Sequence, residues 1–172
     1  MSTSRTPESR HAEHRQVIRD LFDAFSRRDT DALGRCYHPD ISFGDPVFLE
    51  LEGRDRVVGM WRMLLASTSE MKVSAWDITA DNHSGTARWS ADYVLRRNGR
   101  RVVNEVNAQF RFEDGLIVRH RDDFDFRTWS KLALGRPTGV LTGWTPALRR
   151  RVRDQARLRL DEYLRTSSPI SG

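Results

Sequence analysis

The chain has 172 residues, 38% of them hydrophobic and 31% charged, with a formal net charge of +5. That length suits one domain with a sizeable core. A polar start, "MSTSRTPESRHAEHRQ", no apolar run of about eighteen residues and the lone Cys36 argue against a secretory leader, a membrane span and an internal disulfide, and predict a soluble, cytoplasmic protein. Seven arginines between Arg149 and Arg165 face only Asp154, Asp161 and Glu162, so +4 of the charge sits in one terminal segment. The remainder is close to neutral and offers no basic groove for nucleic acid.

In chain order, residues 1–12 read as a flexible polar arm. Val17, Ile18, Leu21, Phe22 and Phe25 recur at helical spacing, and "SRRDTDALGRCYHPD" reads as a turn and a short second helix stopping at Pro39. Cys36 falls in that helical pattern as a packing residue. "ISF" is a short strand, and "GDPV" a turn in which Asp45 precedes a proline. Val57, Val58, Trp61, Leu64 and Leu65 mark a third helix from Arg54 to about Ser67. From Glu70 to Phe126 the pattern turns to period two, with Asn98-Gly99 and Asp114-Gly115 as hairpin turns in an antiparallel meander.

A two-residue turn at Asn98-Gly99 pairs Leu95 with Val102, Tyr93 with Asn104, Ala91 with Val106 and Trp89 with Ala108, all on one face. On the last strand, alternation puts Val118, His120, Asp122 and Phe124 on that same side. "RTWSKLALG" is a short helix ending at Gly135, and residues 136–144 are a loop. Thr145 caps a final helix with Pro146 at its first position, within a segment 145–172. Its Leu148, Val152, Ala156, Leu160 and Leu164 stand four apart, which makes an apolar stripe with an arginine-rich back. That stripe predicts docking on the body or on a second subunit rather than on nucleic acid or a membrane.

Helices followed by a long meander predict an α+β domain with the helices on one face of a curved sheet. The ordered set "SRRDTDAL", "HPDISFGDPV", "EGRDRVVGMWRML", the two hairpin turns and "HRDDFDF" resembles the nuclear transport factor 2-like superfamily, and within it the SnoaL-like branch, over residues 13–135. The resemblance implies a cone-shaped α+β barrel with three N-terminal helices, an open pocket and a homodimer. The terminal helix lies outside the shared domain.

Ketosteroid isomerase and limonene epoxide hydrolase are enzymatic relatives in that superfamily. Asp45 falls where the isomerase has its proton-abstracting aspartate, in a similar "DPV" turn. The positions matching its two oxyanion donors carry Leu21 and Ala108, so the resemblance implies the base without those helpers. "HRDDFD" is similar to the hydrolase's segment that carries a proton-donating aspartate, which matches Asp122. The hydrolase's paired arginine and aspartate fall near Ser90 and Asp92 or near Ala91 and Tyr93, and no arginine stands at either place.

The expected pocket has apolar walls from Leu21, Phe43, Trp61, Trp89, Val106, Ala108 and Phe110, with Asp45, Tyr93, Asn104, His120 and Asp122 as its polar groups. Asp45 is the expected base. His120 and Asp122 are the expected acid or orienting groups, and Tyr93 and Asn104 the donors to a substrate oxygen. The expected ligand is a small apolar oxygenated molecule. Isomerisation, aldol-type cyclisation or epoxide opening would fit, with no cofactor. His11 and His14 lack a third ligand, and no metal site is expected. The competing reading is a non-catalytic binding or dimerisation module, in which Asp45 only caps its turn and His120 and Asp122 bond each other.

Overall fold

The structure, a computed structural model, describes residues 6–135 and 145–167. The loop expected over 136–144 lies outside the described residues, as do residues 1–5 and 168–172. Helices α1 (Pro7–Ser26), α2 (Thr30–Arg35) and α3 (Arg54–Ala66) pack on a six-stranded sheet of order β2-β1-β6-β5-β4-β3. The strands are β1 (Tyr37–Gly44), β2 (Leu51–Glu52), β3 (Thr68–Ala80), β4 (Ser84–Leu95), β5 (Arg100–Glu113) and β6 (Leu116–Asp123). Helix α4 (Phe126–Leu134) follows the sheet, and α5 (Pro146–Ser167) ends the described chain.

The first helix starts earlier than the apolar periodicity indicates. Thr6 accepts a hydrogen bond from the Ser9 amide, and Pro7 opens the helix, so residues 7–12 are helical rather than an arm. His14 is buried on this helix, stacked on Phe112 at 4.0 Å, with Nδ1 hydrogen-bonded to the Asp81 carbonyl at 2.8 Å. That packing gives His14 a structural role in place of the metal ligation for which it lacked partners. The second helix also ends early, at Arg35, and β1 takes up Tyr37 to Gly44, Pro39 included. Cys36 is buried, and burial pushes its thiol up to about 11, as suits a packing residue.

Two irregularities bend β3. Its register against β4 shifts between Ser69 and Lys72 and again between Trp76 and Thr79, and Glu70 and Asp77 adopt positive φ at those places. Such bulges sharpen the twist, and the sheet curls around α1. The Asp114-Gly115 turn forms as expected, with both residues at positive φ and Glu113 facing Leu116.

The β4–β5 hairpin departs from expectation by two residues. Leu95 pairs with Arg100, Tyr93 with Val102, Ala91 with Asn104 and Trp89 with Val106, so the loop has four residues, not two. Tertiary contacts select the longer loop: the Arg96 amide donates to the Ser67 carbonyl, and the Asn98 amide side chain donates to the Ala133 carbonyl of α4. A slip of two leaves each side chain on its expected face, but Tyr93 and Asn104 are no longer directly opposed.

On β6 a bulge opposite Arg111 and Phe112 leaves Val118 as the extra residue. Ile117 is therefore the fully buried residue there, in place of the expected Val118, and the phase is restored so that His120 and Asp122 point inward.

Helix α5 docks on the body through its predicted stripe. Leu160 is fully buried, Leu164 approaches Gly59 of α3, Asp161 accepts a hydrogen bond from Arg56 at 2.6 Å, and Arg153 donates to the Pro46 carbonyl at 3.0 Å. Truncating Leu160 to alanine should cost about 2–3 kcal/mol of docking energy. Tryptic cleavage within the arginine-rich helix should then accelerate by roughly 30-fold or more, provided α5 is released without unfolding of the domain. Unchanged cleavage would show that α5 is held by other contacts. Among the described residues, no helix is long and apolar enough to cross a membrane.

Candidate active site

The "GDPV" segment forms the return between β1 and β2. A Cβ at Gly44 would sit 2.5 Å from the Leu49 carbonyl oxygen, so the chain can double back here only with glycine. The Asp45 amide donates to the Phe48 carbonyl at 2.8 Å, and Asp45 Oδ1 accepts from the amides of Val47 at 2.7 Å and Phe48 at 2.6 Å. Asp45 is thus a turn residue in the full sense. The residue as a whole is half-buried, yet its carboxyl lies deep enough in the packing for burial to dominate its titration. Burial raises it from its ordinary 3.8 to about 7, opposed by the Phe48 amide, reinforced by the Asp122 charge, and opposed again by the Val47 amide and Arg153. A carboxyl that titrates near neutrality accepts and releases protons readily at physiological pH.

His120 and Asp122 meet as the alternation on β6 predicts. His120 Nε2 lies 2.9 Å from Asp122 Oδ1, with the residues 1% and 6% exposed. The surrounding hydrogen bonds select the tautomer. Trp61 Nε1 donates to the Tyr37 hydroxyl at 3.2 Å, and that hydroxyl lies 2.9 Å from His120 Nδ1. Burial drives the Tyr37 phenol well above its ordinary range, so it keeps its proton. With the Trp61 N–H occupying its oxygen, Tyr37 donates to Nδ1, and Nε2–H is left to donate to Asp122. Trp89 Nε1 donates to the same Asp122 oxygen at 3.2 Å. The result is a one-way chain of hydrogen bonds from Trp61 through Tyr37 and His120 to the Asp122 carboxyl oxygen. Both nitrogens of His120 are engaged within the protein, so His120 orients Asp122.

Tyr37 is the member that sequence reasoning missed. It reaches His120 because β1 runs parallel to β6, with Phe43 level with His120, and nothing local in the sequence signals a parallel pairing across about eighty residues.

The expected pocket walls are differently used. Phe43 packs edge-on against Trp61 at 5.3 Å and His120 at 5.1 Å, Phe110 lies 4.6 Å from His120, and Phe25 contacts both Trp61 and Trp89. Leu21 and Ala108 are buried in the same core. These residues fill the narrow end of the cone instead of lining an open space, because ring-to-ring contact there buries more apolar area than an empty wall would. Trp61 and Trp89 serve as hydrogen-bond donors to the polar chain.

Towards the wide end, Tyr93 stands on the inward face. Its hydroxyl accepts from Trp129 Nε1 of α4 at 3.1 Å, not from Asn104, which is half-buried opposite Ala91. Burial raises the Tyr93 phenol, the Trp129 hydrogen bond opposes this, and the neighbouring Asp45 charge adds to it, so Tyr93 stays protonated and its hydrogen has no acceptor among the described residues. Asp45, Asp122 and Tyr93 form one electrostatic neighbourhood: Asp45 responds to Asp122, and Tyr93 to Asp45. The arginine and aspartate that would complete an epoxide-hydrolase set are absent, since Asp92 lies on the outer face held by Arg101 at 2.7 Å. Among the described residues, no cluster of three or more His, Cys, Asp or Glu side chains could hold a metal ion.

Comparison with known proteins agrees with this architecture. No curated protein matches the chain. Among solved structures, an LEH-like epoxide hydrolase from M. tuberculosis is similar with a TM-score of 0.63 at 21% identity, over 76% of this chain and 97% of that one. An NTF2-like protein of unknown function from Burkholderia pseudomallei superposes at 0.64 with 22% identity, over 70% of this chain and 96% of the other. A proposed SnoaL-like polyketide cyclase from Jannaschia sp. CCS1 reaches 0.67 at 14% identity, over 79% of this chain and 99% of that chain. At these identities the likeness concerns the fold. The SnoaL-like domain model matches residues 18–120, more than half of the chain, and the protein belongs to that family.

Proposed function

We propose that this SnoaL-like domain binds a small, largely apolar, oxygenated molecule and moves a proton on it without a cofactor, with Asp45 as the base. The observation that carries the reading is the Asp45 carboxyl itself, pinned by two backbone amides and raised to about 7 by burial and the Asp122 charge. A base so placed withdraws a proton from a carbon acid or an attacking hydroxyl, and protonated Tyr93 donates to the oxygen on which negative charge develops. Asp122, held by His120 and Trp89, keeps the base poised by repulsion. The chemistry is of the isomerase, cyclase or epoxide-opening kind. A homodimer, expected from the family, belongs to the same proposal and is checked by sedimentation.

A second reading, a binding module without catalysis, draws on the ring-filled narrow end, which leaves less enclosed space than a solvent-filled cone. Both readings are tested by screening cyclic ketones, enones and epoxides by thermal shift, then following exchange of α-hydrogens of bound ketones in D2O by NMR. The wild-type protein is expected to catalyse exchange at a rate that rises with pH and levels off above about 7. Asp45→Asn should bind the same compounds and exchange them at least about 100-fold more slowly. Exchange at equal rates in both proteins removes Asp45 as the base, and binding without exchange in the wild type establishes the module reading.

A further inference from the structure

Helix α5 and the domain body border an open groove near 780 Å3 in volume. Phe48, Met63 and Trp129 of the body and Val152 and Ala156 of α5 give it apolar walls. Among the described residues, every charged side chain lining it is an arginine: Arg96 and Arg97 from the β4–β5 turn, Arg151 and Arg159 from α5. Arg96 is committed to the Thr68 carbonyl at 3.0 Å. Among the described residues, Arg97, Arg151 and Arg159 have no carboxylate partner, although other cations nearby do, such as Arg56 with Asp161. Arg97 is partly desolvated and feels Arg159, both of which hold its guanidinium below its ordinary range. Two like charges this close at the edge of an apolar surface, Arg97 and Arg159, repel one another until an anion neutralises them.

We propose that this groove binds a small apolar molecule carrying a carboxylate, with the anion at Arg97 and Arg159 and the apolar body along Phe48, Met63 and Trp129. A planar carboxylate matches the forked guanidinium donors, and the apolar walls suit a small apolar molecule better than a nucleic-acid backbone. The groove borders the candidate active site through two of its lining residues. Phe48 supplies one of the amides that hold Asp45, and the Trp129 indole holds the Tyr93 hydroxyl. The inference deepens the catalytic reading by naming the substrate class, and only its catalytic meaning rests on that reading. It also assigns selectivity to α5, which lies outside the family-matched residues 18–120.

The test measures binding of decanoate and 2-naphthoate, each against its neutral amide, through calorimetry and intrinsic tryptophan fluorescence. Each carboxylate is expected to bind at least tenfold more tightly than its amide, with the advantage shrinking as salt rises. The double variant Arg97→Gln/Arg159→Gln should weaken carboxylate binding tenfold or more and leave amide binding unchanged. Absence of carboxylate binding, equal affinity for acid and amide, or an unaffected double variant each overturns the proposal. The wild-type protein separates the two readings: carboxylate binding that survives without any α-hydrogen exchange sinks the catalytic reading alone, whereas loss of carboxylate binding overturns the groove proposal alone.

Discussion

Replacing Asp45 with asparagine is expected to stabilise the fold above pH 7 while abolishing proton transfer. The sign follows from the direction of the shift. In the folded chain Asp45 titrates at about 7 and in the unfolded chain near 3.8, so between those values the folded state holds a proton that the unfolded state has lost. Stability therefore falls as pH rises from about 4 to about 7, and the penalty is complete above that window. Three units correspond to a ceiling of about 4 kcal/mol, and the partial exposure of the residue brings the expected gain for Asp45→Asn at pH 8 to about 2 kcal/mol. The asparagine carbonyl can still accept from the Val47 and Phe48 amides, so the turn survives without the buried charge. Urea denaturation of both proteins at pH 4 and pH 8 measures the effect. A gain at pH 8 that vanishes at pH 4 supports the picture, whereas a loss at both would make Asp45 a purely structural cap. Stability sacrificed at one residue is itself a common mark of a functional position.

Asp122 should behave in the opposite sense. Asp122→Ala removes the acceptor shared by His120 and Trp89 in a buried site, and leaves two buried donors unpaired. A destabilisation of about 3–4 kcal/mol is expected. Asp122→Asn keeps one carbonyl acceptor and should cost roughly half as much. It also has a second readout that a packing role would not produce. Since the Asp122 charge raises the Asp45 carboxyl, its removal should shift the Asp45 titration to lower pH. An NMR titration of the Asp45 carboxyl in Asp122→Asn measures that shift, and an unmoved curve would uncouple the two carboxyls.

Much of this was legible before any coordinates. Local periodicity placed α3, α5 and all but the first turns of α1, because each buries one stripe whose spacing the sequence shows directly. Alternation placed His120 and Asp122 on the inward face, and the turn chemistry of Gly44, Asp45 and Pro46 located the return between β1 and β2. The slipped β4–β5 register was not legible, because Asn98 is held by Ala133 of α4, a partner 35 positions away. Nor was the bulge at Val118, which changed which residue is buried without changing the composition of the strand.

The sequence by itself determined which elements form, which face of each is apolar and where an acid meets a turn, since all of these depend on neighbours within a few residues. Only the tertiary structure decided that Tyr37 closes a proton-ordered chain onto Asp122 and that aromatic rings fill the narrow end of the cone. It alone brought the arginines of α5 to those of the β4–β5 turn above an apolar groove. Those outcomes depend on distant segments meeting in low-dielectric surroundings, where desolvation and repulsion give Asp45 a titration that no local pattern encodes.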